Sequence, residues 1–309
     1  MAAQEDLSQS LSNADSPIVV SGPPRSGTTL FMAYLDGHSD GFWLPDEGFF
    51  FEHLELMGAD RQDLLIEAAT ADLEACIEGL RDRSIMPMLH RPIVDFPSLD
   101  LGWSDQRFRS ALKLDDVSDL RTLWTRLVDA YRAGLNAQGG FRTIVKAADF
   151  GRSVFGALRY FPEARGIVVV RDPIEMLNSL KRYRERGGAR RLTWPTLAQT
   201  IREMNELARS VDTLPEADRQ RLTIVRYEDL MASPEAVMRR VGDRVGLTWQ
   251  PTLAVPTMLG KPWTGNSSFA EQAGTDAVPE NRPITLKPWE RDLANKHLDG
   301  FRQTFGYSL

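Results

Sequence analysis

Short apolar runs alternate along this chain with stretches in which apolar residues recur every three or four positions. The runs at Ile18–Ser21, 143–146, 166–171 and 222–227 are dominated by isoleucine and valine. Strands without a polar face are buried on both sides, the mark of a parallel sheet covered by helices. Helical periodicity lies between and around them, at 27–36, 150–162, 173–186, 195–211 and 234–246. Pro173, Pro195 and Pro234 each stand where a first-turn proline is tolerated, which supports those three helix starts. The alternation predicts an α/β fold, a three-layer arrangement of a mostly parallel sheet with flanking crossover helices.

Two regions depart from the alternation. Residues 55–135 read as a mainly helical insertion, helical at 63–80 and 121–135, with Pro87, Pro92 and Pro97 marking irregular chain between. Residues 250–288 are rich in Pro, Gly, Asn and Ser and read as one long loop, followed by a final helix over 288–305. The first 16 residues are polar and Ser-rich, so the expectation is a disordered tail ahead of a single domain spanning 17–309. They have neither the basic start nor the apolar core of a secretory leader, and no stretch approaches the ~20 apolar residues of a membrane span. A cytoplasmic location is therefore expected. The formal net charge of -6 argues against a nucleic-acid partner. Cys76 is the only cysteine, so neither a disulfide within the chain nor a cysteine-based metal site is available. His38, His53, His90 and His297 are scattered, so no metal is expected.

The first apolar run leads into Gly22-Pro23-Pro24-Arg25-Ser26-Gly27-Thr28-Thr29 and then a helix beginning Leu30-Phe31-Met32. A glycine-bounded loop between strand and helix leaves backbone N–H groups unpaired at the positive end of the helix, where phosphate is attracted. The Gly-x4-Gly frame is that of a nucleotide P-loop, but Thr28-Thr29 replaces the usual Lys-[Ser/Thr], and the loop's cation is Arg25. The P-loop Lys normally holds a γ-phosphate together with Mg²⁺. A loop without it suits a 5′-phosphate whose cargo is not a γ-phosphoryl group. Farther on, Arg171-Asp172-Pro173 leaves the third apolar run, with Ser179 about 9 Å along the next helix. A phosphate across the strand end can accept from both the Arg fork and the Ser hydroxyl.

Taken in order, Pro24-Arg25-Ser26-Gly27-Thr28-Thr29 and Val170-Arg171-Asp172-Pro173 with Ser179 resemble the superfamily of sulfotransferases that use 3′-phosphoadenosine 5′-phosphosulfate (PAPS). Arg226-Tyr227-Glu228-Asp229-Leu230 is similar to that family's Tyr-Glu-Asp-Leu segment. The resemblance is nearest to the protein-tyrosine and bacterial branch and implies a P-loop-type sheet. It implies that Arg25, Ser26, Gly27, Thr28 and Thr29 hold the 5′-phosphosulfate, that Arg171 and Ser179 hold the 3′-phosphate, and that Tyr227 lies near the adenine. Leu35-Asp36-Gly37-His38-Ser39 resembles the branch's Leu-x-x-His-Pro helix exit, with Ser39 in place of Pro. The position matching the branch's catalytic carboxylate is Glu47, with Phe49, Phe50 and Phe51 placed to desolvate it, and Glu52 and His53 remain rival bases. Lys146 stands where the family often has Lys-Thr-Pro or Lys-Asp-Pro, and the implied role is to neutralise the bridging oxygen. Lys261-Pro262-Trp263-Thr264-Gly265-Asn266-Ser267-Ser268 resembles a segment that closes over the nucleotide, with Ser267 or Ser268 donating to the sulfonate and Trp263 covering the base.

The implied reaction moves the sulfonate of PAPS to an acceptor hydroxyl, leaving 3′-phosphoadenosine 5′-phosphate (PAP), with no metal. The acceptor, a small molecule or a peptide, is open. Two other readings stand beside it. One is a P-loop ATP-dependent small-molecule kinase, with Asp172 as a Walker-B-like carboxylate; the other is a non-catalytic module that keeps the fold as a scaffold.

Overall fold

A computed structural model describes residues 16–47, 50–58, 102–137, 139–186, 192–258, 260–262 and 283–308, with isolated positions between 63 and 70. Its centre is a parallel five-stranded sheet flanked by helices, in the order β2-β3-β1-β4-β5. The strands are β1 (Ile18–Ser21), β2 (Gly41–Glu47), β3 (Arg142–Ala147), β4 (Arg165–Val170) and β5 (Leu222–Arg226). Ile18, Val19, Val20, Ile144, Val145 and Ile167 through Val170 are wholly buried, as strands covered on both faces require. The first strand in sequence thus lies third in the sheet, between β3 and β4. Connections leave β1 and β4 toward opposite edges, and ligand crevices in such sheets open at the carboxyl ends of strands where the order reverses.

The helices are α1 (Thr28–Leu35), α2 (Phe50–Met57), α3 (Asp105–Ala111), α4 (Leu120–Leu135), α5 (Arg152–Tyr160), α6 (Pro173–Arg186), α7 (Trp194–Asp212), α8 (Glu216–Arg219), α9 (Tyr227–Ala232), α10 (Pro234–Val245), α11 (Pro288–His297) and α12 (Asp299–Phe305). A short ribbon pairs β6 (Thr257–Met258) with β7 (Lys261–Pro262). Pro173 and Pro234 open their helices and Pro195 is the second residue of α7, where no intrahelical N–H is forfeited. Left-handed Asn136, Gly246 and Gly306 end α4, α10 and α12. β2, α2, α8, α9 and the β6–β7 ribbon are not among the elements the sequence predicts, and two predicted stretches differ in detail. The stretch read as irregular contains α3, whose first turn is capped by the Ser104 hydroxyl accepting from Arg107 N–H. The last helix is broken at Leu298, giving α11 and α12. Of the helix expected over 63–80, only isolated turns at 63, 66, 67 and 70 fall within the described residues.

The chain divides into two compact units. One comprises residues 1–20, 37–147 and 152–166; the other comprises 21–36, 148–151 and 167–309. The first is packed around an aromatic cluster. Phe51 lies 4.7 Å from Trp124 and 5.2 Å from Phe161, and Phe50 lies 5.1 Å from Trp124, ring centre to ring centre. In the second, α6 is strapped by the chain that leads into α11. The Asn178 side chain accepts from Thr285 N–H and hydroxyl at 2.8 and 2.9 Å, and Lys181 Nζ meets Glu290 Oε2 at 2.8 Å.

Candidate active site

The loop after β1 belongs wholly to the second unit. A side chain at Gly22 would place its Cβ 2.1 Å from the Val169 carbonyl oxygen, so only glycine lets the chain leave β1 this close to β4. Ser26 N–H then donates to Pro23 O at 3.1 Å, tightening the loop. Arg25 (φ 72°) and Gly27 (φ 100°) both take left-handed backbone. Gly27 is also the N-cap of α1, with no side-chain cap and no acidic residue in the first turn. No acidic residue of its own first turn therefore offsets the positive end of α1, which faces the loop. The Ser26 hydroxyl is buried and has no hydrogen-bond partner among the described residues. Leaving such a group unpaired costs about 1–3 kcal/mol, which an incoming acceptor would recover.

Beside this loop, β4 delivers Arg171. Its Nε is likewise buried without a partner, while Nη2 lies 3.6 Å from Glu175 Oε2. The guanidinium stacks 4.5 Å over the Tyr227 ring. The same ring also lies close to the loop: a Cβ at Gly27 would meet Tyr227 Cδ2 at 2.5 Å. Tyr227 thus packs against both the glycine loop and Arg171. Burial, and next the Tyr227 phenol nearby, push the Tyr34 phenol up, which keeps it neutral. Arg25 reaches over the half-exposed ring of Tyr183, at 4.8 Å, and Tyr183 follows the buried Ser179 by one turn of α6. Asp172, the carboxylate on which the kinase reading rests, accepts from Glu175 N–H at 2.9 Å at the head of α6.

The chemistry of these groups fits a nucleotide carrying two anionic ends. Ser26, the amides at the head of α1 and Arg25 form one cluster of donors; Arg171 forms another, and the Tyr227 ring is close to both Gly27 and Arg171. Among the described residues, no three His, Cys, Asp or Glu side chains come together as a metal site, and no helix is long and apolar enough to cross a membrane.

Glu47 and Lys146 belong to the first unit and are register partners at the ends of β2 and β3. Between Trp43 and Glu47 the register slips, so that four steps along β2 match two along β3. Pro45 lies in that interval and β2 is an edge strand, the place where a proline and a bulge are tolerated. Lys146 is buried rather than lying along the surface. The rival base Glu52 is paired with Arg152 Nη1 at 3.3 Å on α2, and His53 follows it, half-buried. Phe50 and Phe51, expected to desolvate Glu47, have their rings committed to the aromatic cluster. Phe49, Trp263, Ser267 and Ser268 lie outside the described residues.

Sequence reasoning missed one buried link. The Ser21 hydroxyl donates to Asp149 Oδ1 and accepts from Gly151 N–H at 2.9 Å, while Phe150 N–H donates to Gly22 O at 3.2 Å. Phe150 itself is held at φ 58°, unusual for an aromatic residue. The loop after β3 is stapled in this way to the first residues of the glycine loop.

No curated protein matches the chain in sequence. Among solved structures, the sulfotransferase STF9 from Mycobacterium avium is 17% identical, with 100% of this chain and 81% of that one covered at a TM-score of 0.51. The sulfotransferase domain of the olefin synthase from Synechococcus PCC 7002 is 20% identical, with 95% and 96% covered at a TM-score of 0.50. At these identities the likeness speaks to the fold alone. The family model for sulfotransferases matches residues 17–251, from the start of β1 past α10, a span that holds the glycine loop, Arg171 and Tyr227 alike. The chain belongs to the sulfotransferase family.

Proposed function

We propose that this protein transfers the sulfonate of PAPS to the hydroxyl of a small-molecule or peptide acceptor. The observation that carries the reading is the pair of buried donors without a partner among the described residues, Ser26 Oγ and Arg171 Nε, in one compact unit in which Tyr227 packs against both Gly27 and Arg171. Two sets of anion donors beside one aromatic ring suit a donor phosphorylated at both 5′ and 3′ positions better than they suit a triphosphate.

In this reading Gly27, Thr28 and Thr29 present backbone N–H groups, and Ser26 its hydroxyl, with Arg25, to the 5′-phosphosulfate. Arg171 and Ser179 take the 3′-phosphate, and Tyr227 lies against the base. When bound, PAPS supplies an activated sulfonate on a phosphate leaving group. Arg25 and Lys146 neutralise charge that grows as the S–O bond breaks, in the manner of an oxyanion hole. Glu47 takes the proton of the attacking hydroxyl, a contribution on the order of 10²–10⁴ in rate. The pairing of Glu47 with Lys146 across β2 and β3 supports assigning them to one step. Ser267, Ser268 and Trp263 are kept as donor contacts on the resemblance alone.

The test compares PAP with ATP·Mg²⁺ in thermal-shift and calorimetric titrations, followed by an acceptor screen with labelled PAPS read by mass gain of one sulfonate. PAP is expected to stabilise the protein. Arg171→Ala should weaken PAP binding by about 1.5–3 kcal/mol, roughly ten- to a hundredfold, through loss of a charged hydrogen bond. Stabilisation by ATP·Mg²⁺ without PAP, or unchanged PAP affinity in Arg171→Ala, would overturn the proposal.

A further inference from the structure

Tyr307 lies beyond α12, far in sequence from the glycine loop, yet it closes a hydrogen-bond relay that ends beside Arg171. Its hydroxyl donates to Glu228 Oε2 at 2.9 Å. The other carboxylate oxygen, Glu228 Oε1, accepts from Asp172 N–H at 2.8 Å. That N–H belongs to the residue directly after Arg171, so the carboxylate fixes the peptide from which the arginine side chain springs. Asp172 in turn caps α6 by accepting from Glu175 N–H, and Glu175 is the residue that Arg171 Nη2 approaches at 3.6 Å.

Tyr307 is itself held on several sides. Left-handed Gly306 turns the chain, and Tyr307 N–H donates to Arg302 O at 2.9 Å. The Arg226 guanidinium stacks 4.3 Å over one face of the ring, and the Phe301 ring lies nearly parallel to it, centres 6.3 Å apart. Burial first, and then the neighbouring Glu228 carboxylate, push the phenol far up from its ordinary value, so the hydroxyl stays protonated and remains a donor.

We infer that Tyr307, acting through Glu228, is a positioning residue for Arg171 and so for recognition of the nucleotide's 3′-phosphate. The inference rests on the proposed role of Arg171. A floating Glu228 carboxylate would be free to leave Asp172 N–H; the phenol removes that freedom, and Arg171 enters binding pre-oriented instead of being ordered by it.

The experiment measures the affinities of PAP and of adenosine 5′-phosphate, which lacks the 3′-phosphate, for wild type, Tyr307→Phe, Glu228→Leu and Arg171→Ala. Tyr307→Phe keeps the stacked ring and removes only the hydroxyl, which donates to Glu228 and also bonds the Arg226 guanidinium. PAP affinity should fall about fivefold, as for loss of one hydrogen bond, while affinity for adenosine 5′-phosphate stays put. Glu228→Leu should lose more of the preference in the same direction. A general loosening of the fold would lower both affinities together and leave their ratio unchanged, which would overturn the inference. If wild type does not prefer PAP, or Arg171→Ala keeps the preference, the role of Arg171 fails first. If Arg171→Ala loses the preference while Tyr307→Phe and Glu228→Leu both retain it, only the relay is refuted.

Discussion

Replacing Glu290 with leucine should destabilise the chain, and adding Lys181→Met to that variant should recover most of the loss. The two side chains meet at 2.8 Å with only 7% of the lysine and 2% of the glutamate side chain exposed. Lys181 Nζ also donates to Thr285 O at 2.8 Å, and Glu290 Oε2 also accepts from Lys287 N–H at 2.6 Å at the head of α11. Removing the carboxylate therefore strands a buried ammonium on one carbonyl, at a cost of about 3–5 kcal/mol. Loss of the carboxylate that accepts from Lys287 N–H adds about 1 kcal/mol, for a total of about 4–6. In the double variant the charge is gone, and what remains is the lost cap plus an unpaired Thr285 carbonyl, about 2 kcal/mol together. Thr285 keeps both hydrogen bonds to Asn178, so the strap beside Ser179 stays in place. Urea unfolding followed by tryptophan fluorescence, with Trp289 next to the substituted position, reads the difference, provided the m-values agree. The double variant should be more stable than Glu290→Leu by about 2–4 kcal/mol. A double variant no more stable than the single one would refute the reasoning, since the stranded Lys181 ammonium would then carry no appreciable burial cost.

Glu47→Gln should lower turnover at least about a hundredfold and leave PAP affinity unchanged, whereas Glu52→Gln, at a carboxylate paired with Arg152, should retain activity. Steady-state kinetics with titrated PAP checks this, and the reverse pattern would move the base to Glu52. Glu55 gives a pH-dependent prediction: desolvation pushes its carboxyl up, and Arg159 at 3.2 Å only partly offsets this. A folded pKa above the unfolded one means the folded chain binds the proton more tightly. Its contribution is complete below the ordinary value of 4.5 and is lost as pH rises through the raised folded value. Glu55→Gln should flatten that part of the stability profile. A variant whose unfolding free energy keeps the wild-type slope across this window would rule out the assignment.

How much could be read in advance depended on the range over which each feature is determined. β1, β4 and α6 announced themselves, because unbroken Ile/Val runs and a first-turn proline are local signals. β2 did not: Phe42, Trp43 and Leu44 are followed by Pro45, and the strand persists only because an edge position tolerates the bulge. The break at Leu298 was hidden because a buried leucine looks like helix interior. In the candidate site, Arg25 through Thr29, Arg171 and Ser179 were legible from spacing along short segments. Asp149, Glu228 and Tyr307 were not, since each matters through a partner 128, 56 or 79 residues away. Periodicity carries no information about such pairings.

The staple joining Ser21 and Gly22 to residues 149–151 bears on where this chain tolerates a change of length. One residue added between Ala147 and Gly151 would displace both partners of the Ser21 hydroxyl, and the glycine loop would move with them. The exposed turn at 213–215, by contrast, has room for an insertion or a new terminus. Tags, fused domains and circular permutation points therefore belong at that turn, and the junction after β3 should be kept at its native length.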